Sequence, residues 1–326
     1  MTAATLPSGR AHYGEVAPHG IVVLVGAALA WFSTVHPAEM PAWGPFQFSW
    51  LEYLGAALAL FWYARGLARM APAARPALWR QACYAIAIVA MYASVQTRFT
   101  YLSLHLFMAT QTQQFVLHDL GPFLIAVSWP GAVLKEGMPA AALRFLRARP
   151  FLALLRILQQ PVIATLLFAL LIVGQVVPVV VLWVMLDWRL YDAMNLLMAA
   201  EGVLFWCLVL DPRPKPPAPV SYFTRMVVAF FGMLPVIPLG AYVALTSRLL
   251  YSYYDLCGRL YPWISPLHDQ HMGGLILWLP GALMGSIAFM LPLNALRLAE
   301  ERAESKEKTL VQVGRIRVDP SAWTGR

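Results

Sequence analysis

The sequence predicts an all-α protein, a polytopic membrane helical bundle of about eight transmembrane helices. Three observations carry that prediction. Of 326 residues, 60% are hydrophobic and only 12% charged, with a mean hydropathy of +0.62, whereas a soluble domain averages about 45–50% apolar and 25% charged residues. The apolar residues fall in continuous runs of helical length, not in the alternation of a strand. The cationic residues gather in alternate connections. This composition excludes a pair of soluble domains, a disordered chain and, with three cysteines, a disulfide scaffold.

A bilayer core of about 30 Å needs roughly 20 apolar residues per helix, and the runs lie at 20–36, 50–68, 81–103, 106–129, 161–186, 192–210, 221–247 and 272–296. The first follows Arg10 and reads as a retained anchor rather than a cleaved leader. The second starts at Trp50 and ends among Arg65 and Arg69. Arg80 precedes the third, and a tight turn near residue 104 joins it to the fourth. Residues 139–160 set Arg144, Arg147 and Arg156 among Leu and Phe, the pattern of an amphipathic helix lying on the membrane surface. Pro161 opens the fifth run and Asp192 the sixth, while Pro235 and Pro238 punctuate the seventh. The last run leads into a charged tail from Arg297.

Twenty of the 24 Lys and Arg residues fall in one set of connections; only Arg98, Arg189, Arg248 and Arg259 fall in the other. The positive-inside rule then puts both termini in the cytoplasm. The net charge of +8 is accounted for by a lipid bilayer with anionic headgroups, so no nucleic acid is implied. The segments outside are short, which leaves function to the helices and outer loops.

Ionisable residues inside a span are costly and mark candidate sites. They are Glu52, His118, Asp119, Asp192 and Glu201. Glu52 and Asp192 lie near helix ends. Glu201 is about ten residues into its span and is expected to be protonated or paired across a helix interface. The fourth run is the most polar, with Met108, Thr110, Gln111, Thr112, Gln113 and Gln114 before His118 and Asp119. Gln111, Gln114 and His118 share one face, turned to a polar cavity or to a partner helix. In the outer loop, His268, Asp269, His271 and Met272 form a compact set of ligand types. Imidazole and thioether suit copper, while a helix cap explains Asp269 equally well, and Gly273-Gly274 permits close backbone packing. Cys83 and Cys207 read as small core residues, and Cys257 is alone on the outer side, so it has no disulfide partner there. Catalytic triads, spaced carboxylate pairs and nucleotide-binding glycine loops are absent, so no enzyme is expected.

Several blocks extend this reading: Leu117-His-Asp-Leu-Gly-Pro122, Leu190-Tyr-Asp-Ala-Met-Asn195, Gly202-Val-Leu-Phe-Trp206, Leu210-Asp-Pro-Arg-Pro214, Tyr251 to Arg259, and Asp269-Gln-His-Met-Gly-Gly274 with Trp278. Together they resemble the bacterial cytochrome c oxidase assembly factor family CtaG, over about residues 48–297. The resemblance implies seven family helices plus one N-terminal helix: a cytoplasmic segment 1–19, an extra helix and outer loop 20–47, the family domain 48–297 and a cytoplasmic tail 298–326. It also implies maturation of a heme-copper terminal oxidase in the bacterial inner membrane, oxidase subunits as partners, and copper handling at the periplasmic side. Candidate metal residues are His118, Asp119, Met108, His268, Asp269, His271 and Met272. The chain departs from the family pattern where histidines are expected. Those positions fall at Thr110, Gln114, Val176 (beside Gln175) and Asn195, and amides are poor copper ligands. Two alternatives stand beside assembly: a resident accessory subunit of a respiratory oxidase, and a transporter of copper or a small solute.

Overall fold

The computed structural model describes residues 10–316 except 217 and 257, with side-chain surroundings for 19–305. Among these residues all regular structure is helical, with no strand. The first helices are α1 (Arg10–Val35), α2 (Trp50–Arg69), α3 (Leu78–Gln96), α4 (Phe99–His105) and α5 (Phe107–Gln114). A wide π-helical turn, Phe115–Leu120, continues α5 into α6 (Gly121–Ser128). Short helices α7 (Gly131–Gly137), α8 (Ala140–Leu146) and α9 (Arg149–Leu158) precede α10 (Pro161–Gly174) and α11 (Pro178–Leu186). Then come α12 (Trp188–Val209), α13 (Tyr222–Met233), α14 (Val236–Leu245) and the long α15 (Pro266–Ile316).

Four segments are each long and apolar enough to cross a bilayer: α3, α12, the α13–α14 unit Tyr222–Leu245, and Pro266–Ser305 within α15. Two bent pairs raise the number to six: Phe107–Ser128 with α7, turning 80°, and α9 with α10, turning 73°. Length and apolarity thus give four to six candidate crossings among the described residues, and the expected count of about eight is not confirmed. Pro178 restarts the helix after Gln175 and divides the run at 161–186 into helices of 14 and 9 residues. Helix α2 carries Glu52, Arg65 and Arg69 in 20 residues. By contrast, Pro280 and Pro292 leave α15 unbroken, as prolines in membrane helices commonly do.

Burial is inverted relative to a soluble protein. Gln96, Gln113, His118, Arg225 and Gln270 are almost wholly buried, while Leu166, Leu170, Trp183 and Leu283 are more than half exposed. Lipid facing the apolar rim accounts for both. The largest apolar core joins α10, α12, α13 and α15 through Phe168, Phe205, Trp206, Ala229, Met233 and Met284. A second, around Tyr63, Tyr84, Ile125 and Val133, joins α2, α3, α6 and α7. Cys83 and Cys207 are free thiols, half buried in these helices; Cys257 lies outside the described residues.

Candidate functional site

The site begins with a proline. Pro122 has no N–H, so it cannot donate to the carbonyl of His118 four residues earlier. Instead Gly121 N–H reaches back to Val116 O and closes the wide turn, a geometry frequent at functional sites. The freed His118 carbonyl accepts from the Trp206 indole Nε1, at 3.1 Å. Helix α12 can come this close because Gly202 faces the turn; a Cβ there would collide with the His118 carbonyl oxygen.

The same contact brings Glu201 to His118. Its Oε2 lies 2.8 Å from His118 Nε2, so the two ionisable residues singled out in separate spans are one pair, as expected for Glu201. The ring stacks on Phe168 with centroids 4.2 Å apart, and Phe168 stacks on Phe205 at 3.8 Å. Hydrogen bond and stack together fix the ring and direct Nδ1 towards Asp119, whose Oδ2 is 3.9 Å away. Held at one nitrogen by a carboxylate, an imidazole has its tautomer and orientation set for whatever its other nitrogen meets.

In front of this pair lies a cavity of about 20 Å³, where a water needs roughly 10–15 Å³. Gln111, Gln114, His118, Asp119, Gln175 and Met198 line it. His118 Nδ1, Asp119 Oδ1, Gln111 Nε2, Gln114 Oε1 and Gln175 Nε2 are all buried without a hydrogen-bond partner. In a bilayer such groups are expensive unless something polar meets them. The cavity thus offers acceptors, donors, one imidazole nitrogen and one thioether to a small polar guest.

The polar fourth run divides between both of its expected surroundings. Gln111 and Gln114 turn to the cavity. Gln113 instead donates to Ser94 O and accepts from Tyr191 Oη, both at 2.7 Å, and Thr110 meets Tyr254 Oη at 2.7 Å. Those bonds tie α5 to α3, α12 and the outer loop. Glu52, near its helix end, accepts from Gln96 Nε2 at 2.9 Å.

The outer residues form a joint. Asp269 accepts from Phe107 N at 2.8 Å and Met108 N at 3.0 Å, so it caps α5 rather than its own helix. Met108 meets this carboxylate through its backbone. Gln270 accepts from Leu250 N and donates to Arg248 O, while His271 Nε2 donates to Thr246 O at 2.9 Å. Gly273 and Gly274 lie against Phe107 and the Ala244 backbone, the close packing that the Gly-Gly pair permits. His268 is exposed and Met272 is 36% exposed. Among the described residues no three His, Cys, Asp or Glu side chains are grouped to hold a metal ion. The structure therefore joins His118 and Asp119 with Glu201, and sets Asp269, His271 and Met272 apart on α15. Sequence reasoning missed Met198, Phe168 and the indole of Trp206; Pro122, four residues after His118, was the one local signal of a free carbonyl.

These features define an all-helical membrane protein with a buried polar cavity built on a carboxylate–imidazole pair. The chain belongs to the cytochrome c oxidase caa3 assembly factor (Caa3_CtaG) family, whose model matches residues 61–297, from within α2 through the apolar part of α15. No curated protein and no solved structure matches the chain.

Proposed function

We propose that the chain assists maturation of a heme-copper oxidase in the bacterial inner membrane, as a non-catalytic factor that binds oxidase subunits and passes copper as cargo through the cavity at His118. The reading rests on the assembly-factor family together with one observation: Glu201 holds His118 Nε2 and leaves Nδ1 at a polar cavity that Met198 also lines. Imidazole and thioether suit Cu(I), and a carboxylate behind the imidazole raises its basicity as a ligand. The amides contribute hydrogen bonds rather than coordination, which favours a loosely held, transferable ion. His268 and Met272, exposed at the outer end of α15, are the candidate first contacts for copper arriving from the periplasmic side. Both termini then lie in the cytoplasm, with the extra helix and outer loop of residues 20–47 added ahead of the family domain 48–297 and 298–326 as a tail.

Titration of the purified full chain with Cu(I) tests this directly. Wild type is expected to bind one ion per chain, and His118→Ala and Met198→Leu to lose it. Wild-type binding no greater than that of His118→Ala removes copper from the proposal. In membranes, His118→Ala is expected to lower the copper content and activity of the oxidase while its polypeptides persist.

A second reading, a resident accessory subunit, is favoured by the outer joint, where Asp269 and His271 spend polar atoms on backbone groups. Co-purification with active oxidase at fixed stoichiometry supports it. Recovery only from immature oxidase supports assembly.

A further inference from the structure

At the arginine-rich end of the bundle, four elements meet around a second cavity of about 210 Å³. They are the start of α3, the end of α6, the end of α12 and the segment of α15 near Leu291. Its walls are largely apolar, with Val127, Val209, Leu210 and Leu291 among them, and its rim carries Trp79, Arg80 and Trp129.

The charges on this rim are unequal. Asp211 is engaged by Arg213 through Nε to Oδ1 at 2.9 Å and Nη2 to Oδ2 at 2.8 Å, and that guanidinium also lies 5.2 Å from the Trp129 ring centroid. The pair is neutral as a unit. Arg80 lies 5.1 Å from the Trp79 ring centroid and has no acidic partner among the described residues. Beside it, Ala77 offers no side chain to cap the first amides of α3. One uncompensated cation therefore stands at the mouth of an apolar slot. Leu78 and Trp79 beside it are 81% and 53% exposed, so the slot opens on the lipid-facing rim.

We propose that this cavity binds an anionic phospholipid, its phosphodiester on Arg80 and the first amides of α3, and its acyl chain against Val209, Leu210 and Leu291. A guanidinium recognises phosphate through charge-assisted hydrogen bonds, and tryptophan favours the headgroup level of a bilayer. The apolar walls select a lipid over free phosphate, which has nothing to place against them. The uncompensated charge of Arg80 selects an anionic headgroup over a zwitterionic one, whose own cation would face it.

The test uses the full chain, stripped of lipid in detergent, titrated with phosphatidylglycerol or phosphatidylcholine, with bound lipid counted by native mass spectrometry. Wild type is expected to retain one phosphatidylglycerol per chain about tenfold more tightly than phosphatidylcholine, the worth of one charge-assisted hydrogen bond. Arg80→Gln is expected to remove that preference, whereas Arg147→Gln, on the exposed surface near α8, leaves it unchanged. Ala295→Phe, which narrows the apolar wall and keeps the charge, is expected to lower retention of both lipids; it decides the matter if Arg80→Gln fails to fold. Equal retention of the two lipids by wild type overturns the proposal, as does a preference that survives Arg80→Gln. Displacement of the bound lipid by millimolar inorganic phosphate assigns the site to free phosphate and overturns it too.

Discussion

At the scale of single residues, the site turns on what Glu201 does for His118. A buried imidazole hydrogen-bonded to a carboxylate at 2.8 Å is stable only as a pair, because removing one partner strands the other in low dielectric. Glu201→Leu is expected to destabilise the protein by about 3 kcal/mol, and Glu201→Gln, which keeps an acceptor, by less. Thermal unfolding in detergent measures both, and equal losses would show that the hydrogen bond at His118 is unimportant. Asp211 carries the pH-dependent contact. Burial acts to raise its pKa, but the hydrogen bonds and charge of Arg213 hold it below the ordinary 3.8. A lowered folded-state pKa means that the contribution is complete above the ordinary value and lost as pH falls through the folded one. The stability difference between wild type and Asp211→Asn should therefore be constant from neutral pH down to about 5 and shrink below about 4.

At the scale of elements, two joints hold the cavity in shape. The first is the π turn, where Trp206 supplies the hydrogen bond that Pro122 cannot. Trp206→Phe leaves the His118 carbonyl without a donor and is expected to cost about 1–3 kcal/mol. The double variant Pro122→Ala/Trp206→Phe should recover part of that loss, because replacing the proline restores a backbone N–H within reach of that carbonyl. Thermal unfolding of the four proteins in the cycle gives the coupling, and strictly additive losses would separate the two residues. The second joint is Asp269 capping α5 from α15. Asp269→Ala frees two backbone donors at once and is expected to cost about 2 kcal/mol. Asp269→Asn, retaining one acceptor, should cost about half. Faster amide hydrogen exchange at Phe107 and Met108 would locate the effect. Periodicity shows neither joint, because each links groups far apart in sequence: 88 residues for Trp206 and His118, and 162 for Asp269 and Phe107.

At the scale of the whole molecule, composition alone determined the solvent. A chain 60% hydrophobic and 12% charged can hide its apolar surface only in lipid, and lipid permits helices because they satisfy their own backbone. The helical class, the membrane setting and the family were thus legible, as were His118, Asp119 and Glu201 as residues too costly to bury without purpose. Where a helix axis breaks was not legible, because an apolar run records hydrophobicity alone: Pro178 opens a new helix, whereas Pro280 and Pro292 lie inside one. Tertiary structure alone decided which polar residues share a cavity. Gln111 faces His118, whereas Gln113, two residues on, binds Ser94 and Tyr191; this division depends on a wide turn and on the closeness that Gly202 permits to α12. The outer Asp269 and His271 likewise looked like ligands, and the fold engages them with backbone groups across helices. Hydrophobicity acts residue by residue and can be summed along a chain, whereas hydrogen bonds depend on distance and direction, which exist only once the helices have packed.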